Sequence, residues 1–130
     1  MKRSAPLDVR IKRIYEKPAG SDGTRVLVDR LWPRGVSKEG AAIAQWFREI
    51  APSTELRRWF NHDVARWNAF RQRYAAELDA KDAPLEELRG LARAGRLTLV
   101  FAARDEQHND AVVLRDVLLG TMPPGQRDKN

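Results

Sequence analysis

Two apolar runs, the continuous Val26-Leu27-Val28 and Leu97-Thr98-Leu99-Val100-Phe101-Ala102 with its one threonine, set the frame of this chain. A strand that faces water on one side alternates apolar and polar residues, whereas one covered on both faces reads as a continuous apolar run. Both segments are of the second kind, so other elements must pack above and below them. The sequence between and after them supplies that cover. Val64, Trp67, Phe70, Tyr74 and Leu78 recur at three and four residues, the spacing of one helix face, behind Asp63 as a cap. Pro84 in a first turn, then Leu85, Leu88 and Leu91, with Gly95 past the end, predict another helix. Ala111, Leu114 and Leu118, widened by Val112, Val113 and Val117 and closed by Gly120, predict a last one. A shorter helix runs from Pro52-Ser53-Thr54-Glu55 to near Phe60, using Leu56 and Trp59. Residues 41–50, with Trp46 and Phe47, are apolar and expected to be helical.

A further strand starts at Val9-Arg10-Ile11-Lys12, which alternates as a half-buried strand does, and continues to Ile14. Residues 17–23 are loop by composition, and the second strand spans Thr24 to Val28. Helices separate the second strand from the third, so those two are expected to be parallel through a right-handed crossover. The first two strands are joined by only about nine residues, fewer than the dozen a parallel crossover normally needs, which leaves their pairing open. All the strands are short, and the sheet is therefore small.

At 130 residues the chain is read as one domain, residues 7–120, with loose ends at 1–6 and 121–130. It contains no cysteine, which excludes disulfides, thiolate nucleophiles and cysteine zinc sites and fits a cytoplasmic setting. No run of ~18 apolar residues exists to span a membrane. Residues 1–8 lack the apolar stretch of a signal peptide. The net charge of +6 is placed unevenly. Residues 1–38 hold ten Lys and Arg against four Asp and Glu, while residues 39–130 hold fourteen of each. The excess accompanies the first two strands, where it either attracts anions or serves as a solubilising surface with a basic tail.

Two strand ends carry the chemistry. The second strand runs into Asp29-Arg30-Leu31-Trp32-Pro33-Arg34-Gly35, and the third into Arg104-Asp105-Glu106-Gln107-His108-Asn109. In a parallel pair both segments leave the sheet at its carboxyl edge, where open α/β sheets bind ligands. The last helix begins there too, and its free amides would add to an anion site.

Each residue has a plain reading beside a chemical one. Asp29 caps a loop or pairs with an arginine; alternatively it is a general base or positions a ligand. Arg30, Arg34 and Arg104 tie loops to carboxylates or clamp a phosphate or carboxylate through bidentate contacts. Trp32 anchors its loop or offers a stacking surface to a ring. His62 packs and caps or transfers a proton, and Asp105, His108 and Asn109 cap the last helix or orient a substrate. Trp46, Trp59 and Trp67 are read as core. Two histidines and scattered carboxylates show no metal-ligand spacing, and Ser37 and Ser53 lack a partner for nucleophilic catalysis.

The blocks Asp29–Gly35, Ala51-Pro-Ser-Thr-Glu-Leu-Arg-Arg-Trp-Phe60, His62-Asp63 with Trp67 and Phe70, and Ala102–Asn109 together resemble the DUF488 family in its short YeaO-like branch. The resemblance covers roughly residues 9–119, with the blocks in the family's order. It implies an α/β fold with a small, mostly parallel sheet of three or more short strands flanked by helices. It also favours parallel alignment of the first two strands, and it implies no activity. The sequence contains neither a helix-turn-helix nor a glycine-rich loop for a methyl-donor cofactor.

The expectation is a pocket at the carboxyl edge for a small anionic ligand such as a nucleotide or a piece of nucleic acid. Arg30, Arg34 and Arg104 would hold the anion, with Trp32 and Asn109 beside it. Asp29, Asp105, His62 and His108 would handle protons. No dinucleotide fingerprint or thiol is present, so no cofactor is implied, and hydrolytic or lyase chemistry fits better than redox. The same pocket could act as a non-catalytic sensor, and the basic first third could bind nucleic acid nonspecifically.

Overall fold

The structure, a computed structural model, describes residues 7–121. The expected loose ends, residues 1–6 and all but Thr121 of residues 121–130, lie outside the described residues. The two apolar runs become the central strands of a four-stranded sheet, β2 (Thr24–Leu27) and β4 (Leu97–Phe101). β1 (Val9–Arg13) pairs with β4 and β3 (Gln45–Trp46) pairs with β2, all parallel, in the order β1-β4-β2-β3. The burial expected of the runs holds. Val26, Leu27 and Val28 are wholly buried, as is every residue of β4.

The open question of the first two strands has a simple answer: they do not pair, because β4 lies between them. Their connection, residues 14–23, must run back along a sheet only four or five residues deep. Ten extended residues reach about 33 Å, ample for strands of about 17 Å, so a short crossover suffices. Asp22, in a single 3-10 turn (Gly20–Asp22), anchors this connection through Lys12 of β1 and Arg25 of β2. Gly23 then enters β2 with φ +68, pressed on the backbone of Arg96, where any Cβ would lie 2.3 Å from the Arg96 carbonyl oxygen.

Alternate strand residues face two separate cores. Val26, Val28, Leu97, Leu99 and Phe101 join the larger cluster under four helices: α2 (Thr54–Phe60), α3 (Trp67–Asp79), α4 (Asp82–Ala94) and α5 (Asp110–Leu119). Leu27 and Val100 join the smaller one, closed by Trp32, Val36 and Ile43 and by Ala41 of the one-turn α1 (Lys38–Ala41). Phe70, Tyr74 and Leu78 form the buried stripe of α3 as the periodicity predicts, each fully buried Leu or Phe contributing ~1.5–3 kcal/mol. Val64 does not join it, lying 51% exposed on a 3-10 turn (Val64–Arg66) that Asp63 caps. Ser53 caps α2, Asn109 caps α5 and Gly120 ends α5 in the left-handed region.

Residues 41–50 are not the expected helix. Ala42 takes a left-handed conformation (φ 53) that stops α1, and the chain then pairs with the edge of β2. Ala44 N–H donates to Arg25 and Phe47 N–H to Leu27, at 2.8 Å each. A 3-10 turn (Arg48–Ile50) leads on to α2. Pairing with the sheet edge has overridden local helical preference. Trp46 and Trp59, read as core, are half-buried, each with an arginine over its ring face.

Candidate functional site

Because β2 and β4 are parallel and in register from Thr24↔Leu97 to Leu27↔Val100, their following loops leave the same edge side by side. Val28 N–H still donates to Val100, and one residue on, the Ala102 amide donates to Asp29 Oδ2 at 2.9 Å. Asp29 thus ties the two loops together. Its main-chain oxygen takes the Trp46 indole at 2.7 Å, so β3 holds it as well.

The other Asp29 partner is Asp110, the first residue of α5, whose side chain hydrogen-bonds to it. Burial raises the Asp29 carboxyl to about 6 from an ordinary 3.8, against the Ala102 amide, Asp110 and Arg57, which hold it down. Burial and the neighbouring Asp29 charge raise Asp110 well above 3.8, opposed by the amides at the start of α5 and by Arg57. Two carboxylates in one low-dielectric place cannot both ionise cheaply, so the pair keeps a proton that separate acids would lose. Tyr74 lies beneath, its buried hydroxyl donating to Ile50 at 2.7 Å. Burial and the charges of Asp110, Asp29 and Glu77 push its phenol up, so it stays neutral.

A cavity of about 540 Å³ opens above this pair. Its walls include Trp32, Phe60 and Phe70, with His62 and His108 beside them. Arg30, Arg57 and Arg58 also line it. None of these three has a carboxylate within ion-pair distance among the described residues, although Arg57 acts on both acids through space. Arg30 donates only to the Pro52 carbonyl, at 3.4 Å. The Nε of Arg30 and of Arg57 are buried without a partner. Buried donors are ordinarily satisfied, and leaving one bare costs ~1–3 kcal/mol, more for a charged group. Three guanidiniums thus share the cavity wall with a carboxyl pair that keeps a proton, and Arg57 acts on that pair directly. α2 is held firmly while it presents its arginines. Ser53 donates to Glu77 from both its amide (2.8 Å) and its hydroxyl (2.6 Å), and Lys81 reaches the carbonyls of Glu49 and Ala51.

The structure brings Asp29, Arg30, Trp32, His62, His108 and Asn109 to this cavity. It leaves Asp105, Arg34 and Arg104 outside the lining. Asp105 is a bracket: its carboxylate takes the amides of Gln107 and His108 and the His108 ring at 2.9 Å, and these partners hold it below the usual carboxylate range. His108 is thereby fixed edge-on to Trp67, 5.1 Å between ring centroids. Asn109 is buried, its oxygen accepting from Val112 N–H and its amide donating to the Asp105 carbonyl. The Trp32 indole donates to the Val36 carbonyl, and its ring packs on Trp46 at 5.6 Å, which is the loop-anchoring reading with one side left to the cavity. His62 follows Asn61 in a tight turn where both take positive φ (48° and 56°), an uncommon conformation for residues with a Cβ, and this turn aims them at the cavity. Arg34 and Arg104 are exposed, each one residue past a lining residue, Pro33 and Ala103.

Asp110, Arg57 and Arg58 escaped the sequence reading. Asp110 looks like an ordinary first-turn acid, yet it stands three, four and seven residues before the buried Val113, Leu114 and Val117. A carboxylate continuing an apolar stripe was the available signal. Arg57 likewise stands three residues before the buried Phe60, on the same helix face. Among the described residues, no group of three or more His, Cys, Asp or Glu is placed to hold a metal ion. No described helix is long and apolar enough to cross a membrane.

Fold and cavity together define a small parallel α/β protein with an acid-and-arginine hollow at the carboxyl edge of its sheet. Residues 8–130 match a family model described as the inactive DUF488-N3 subclade, and the chain belongs to the DUF488 family. It is 42% identical over 112 residues to the Escherichia coli protein YeaO, a match covering 86% of this chain and 97% of YeaO. It is equally similar to Rv3073c of Mycobacterium tuberculosis and Mb3100c of Mycobacterium bovis, 94% of each being covered. All three are named as uncharacterized proteins. No solved structure is significantly similar.

Proposed function

We propose that this protein binds a small anionic ligand carrying a flat ring, of nucleotide size, in the carboxyl-edge cavity, and that it acts by binding rather than by turnover. The observation that carries this reading is the set of guanidiniums at Arg30, Arg57 and Arg58, held on the cavity wall without acid partners. An arginine fork recognises phosphate or carboxylate in the plane, and in a part-buried site that contact is strong. The volume of about 540 Å³ falls in the range of small-molecule sites, and Trp32, Phe60 and Phe70 offer a ring its apolar contacts. The word "inactive" in the subclade's description favours binding without reaction. The lack of cysteine fits a cytoplasmic role.

One observation favours a second reading. The Asp29–Asp110 pair, with Asp29 near 6, has the makings of a general acid and base at neutral pH, for hydrolysis or elimination, with His62 or His108 assisting. One experiment separates the two. The protein is titrated calorimetrically with nucleoside monophosphates and simple phosphate esters, and the bound compound is then recovered and analysed. Saturable binding with the compound returned unaltered is expected. A product that forms with wild type and not with Asp29→Asn would replace binding by catalysis, and heats absent throughout the panel would remove both.

A further inference from the structure

We infer that the occupant of the cavity is one nucleotide unit of a single-stranded nucleic acid, whose neighbouring phosphates lie against Arg34, Arg58 and Arg104 at the mouth. This rests on the anion-binding reading above and extends it outward. Three different elements bring these arginines to the rim: the loop after β2, the loop after β4, and α2. Arg58 lines the cavity, and Arg34 and Arg104 directly follow the lining residues Pro33 and Ala103, so their Cα atoms lie about 3.8 Å from those of the wall. All three side chains are exposed, and none has a hydrogen bond or ion pair to an acid among the described residues. The acid next to Arg104 in sequence, Asp105, is already taken up by His108 and two amides. Elsewhere on the surface arginines do find acids, as Arg89 and Arg93 find Glu86.

A free monophosphate would need only the inner arginines. Two more unanswered charges, Arg34 and Arg104, join Arg58 around the mouth and fit a ligand with negative charge on both sides of the bound unit. The aromatic wall separates a nucleic acid from other polyanions, since a base has a ring to place there and inorganic polyphosphate does not. A stacked duplex cannot lower a base into a cavity without unpairing it, whereas a single strand does so at little cost. The contact is short, because residues 39–130 carry fourteen cations against fourteen anions and provide no long basic track.

The test compares nucleoside 5′-monophosphates with a labelled single-stranded hexanucleotide and its duplex, over a salt series. The expected result is that the hexanucleotide binds more tightly than any monophosphate and more tightly than the duplex. Its log K should fall with log salt at a slope near −3, from one phosphate held inside the cavity and three at the mouth, at about 0.7 each. The double variant Arg34→Gln/Arg104→Gln, which alters no lining residue, should reduce that slope to about −1.4 and leave monophosphate affinity unchanged. Equal affinity and equal salt slopes for the monophosphate and the hexanucleotide overturn this inference while the cavity reading stands. So does a duplex that binds as well as the single strand, or a double variant that weakens both ligands alike. Binding of neither removes the cavity reading with it.

Discussion

The two ends of one sheet are built on opposite electrostatic plans. At the amino end, cations meet acids: Arg96 bonds Asp8 at 2.8 Å, and Lys12 and Arg25 converge on the buried Asp22 at 3.1 and 2.9 Å. These contacts join the entries to β1, β2 and β4, and the Thr98 hydroxyl adds a bond to the Asp22 carbonyl. At the carboxyl end, five guanidiniums (Arg30, Arg34, Arg57, Arg58 and Arg104) have no acid within ion-pair distance among the described residues, while two acids face each other. A chain able to saturate one edge has the means to saturate the other. The difference marks the amino edge as a fastening, and it is the observation on which the ligand site proposed for the carboxyl edge rests.

The largest expected effect tests the fastening. Asp22→Ala leaves the buried Arg25 and the partly buried Lys12 without their anion, and should cost about 3–5 kcal/mol in urea unfolding. Ligand affinity of the folded protein should be unchanged. A loss below about 1 kcal/mol would mean that the amino edge is no more tied than the other.

Acid and base should then act on the two edges in opposite directions. Arg96 and Arg10 hold Asp8 below 3.8, and for Asp22 the Ala19 amide, Lys12 and Arg25 outweigh burial and do the same. Their contribution is present above 3.8 and is lost as the pH falls through the lowered values. Asp29 is raised, so the folded state holds its proton more firmly than the unfolded chain, and stability is lost as pH rises from 3.8 through about 6. Asp29→Asn keeps an acceptor for the Ala102 amide and removes the charge. It should remove the Asp29 share of that decline, leaving the share that burial of Asp110 contributes, and gain on the order of 2 kcal/mol at neutral pH over wild type, read from denaturation at a series of pH values. A variant that tracks wild type across this window would show that the pair is not strained.

A smaller effect isolates the support behind the arginines. Ser53→Ala removes the α2 cap and one of the two bonds to Glu77, and should cost about 1 kcal/mol. Unlike Asp22→Ala, it should also weaken ligand binding, since α2 carries Arg57 and Arg58. Unchanged affinity would place the ligand elsewhere.

The sequence made one half of this comparison legible and hid the other. Continuous apolar runs identified the strands covered on both faces, and parallel pairing of β2 and β4 followed from the helices between them, so Asp29 and the segment after Phe101 could be placed on one edge. The DUF488 resemblance, and the parallel sheet it implied, agree with what is found. The position of β4 between β1 and β2 was not readable, because strand neighbours are set by contacts distant in sequence. Nor was β3, whose two residues are too few to show a period. Within the cavity, Asp110 and Arg57 resembled routine helix charges, and only the stripe they continue separates them from solvent-facing ones. Arg34 and Arg104 were expected in the pocket and lie outside its lining, each one residue past it, since spacing along a loop gives position but not the direction of a side chain.

The most direct measurement is denaturant stability of wild type and Arg57→Met, with and without a nucleoside monophosphate, below pH 6 where the acid pair keeps its protons. Without ligand the variant should be at least as stable as wild type, by up to about 1–3 kcal/mol, because the guanidinium has no ion pair to lose and its bare Nε is no longer buried. At about a hundredfold excess over its dissociation constant for wild type, the ligand should add about 2.7 kcal/mol to wild type and almost nothing to the variant. A variant that unfolds several kcal/mol sooner without ligand, or that gains as much from the ligand as wild type does, would contradict the claim that this edge is held open for an anion.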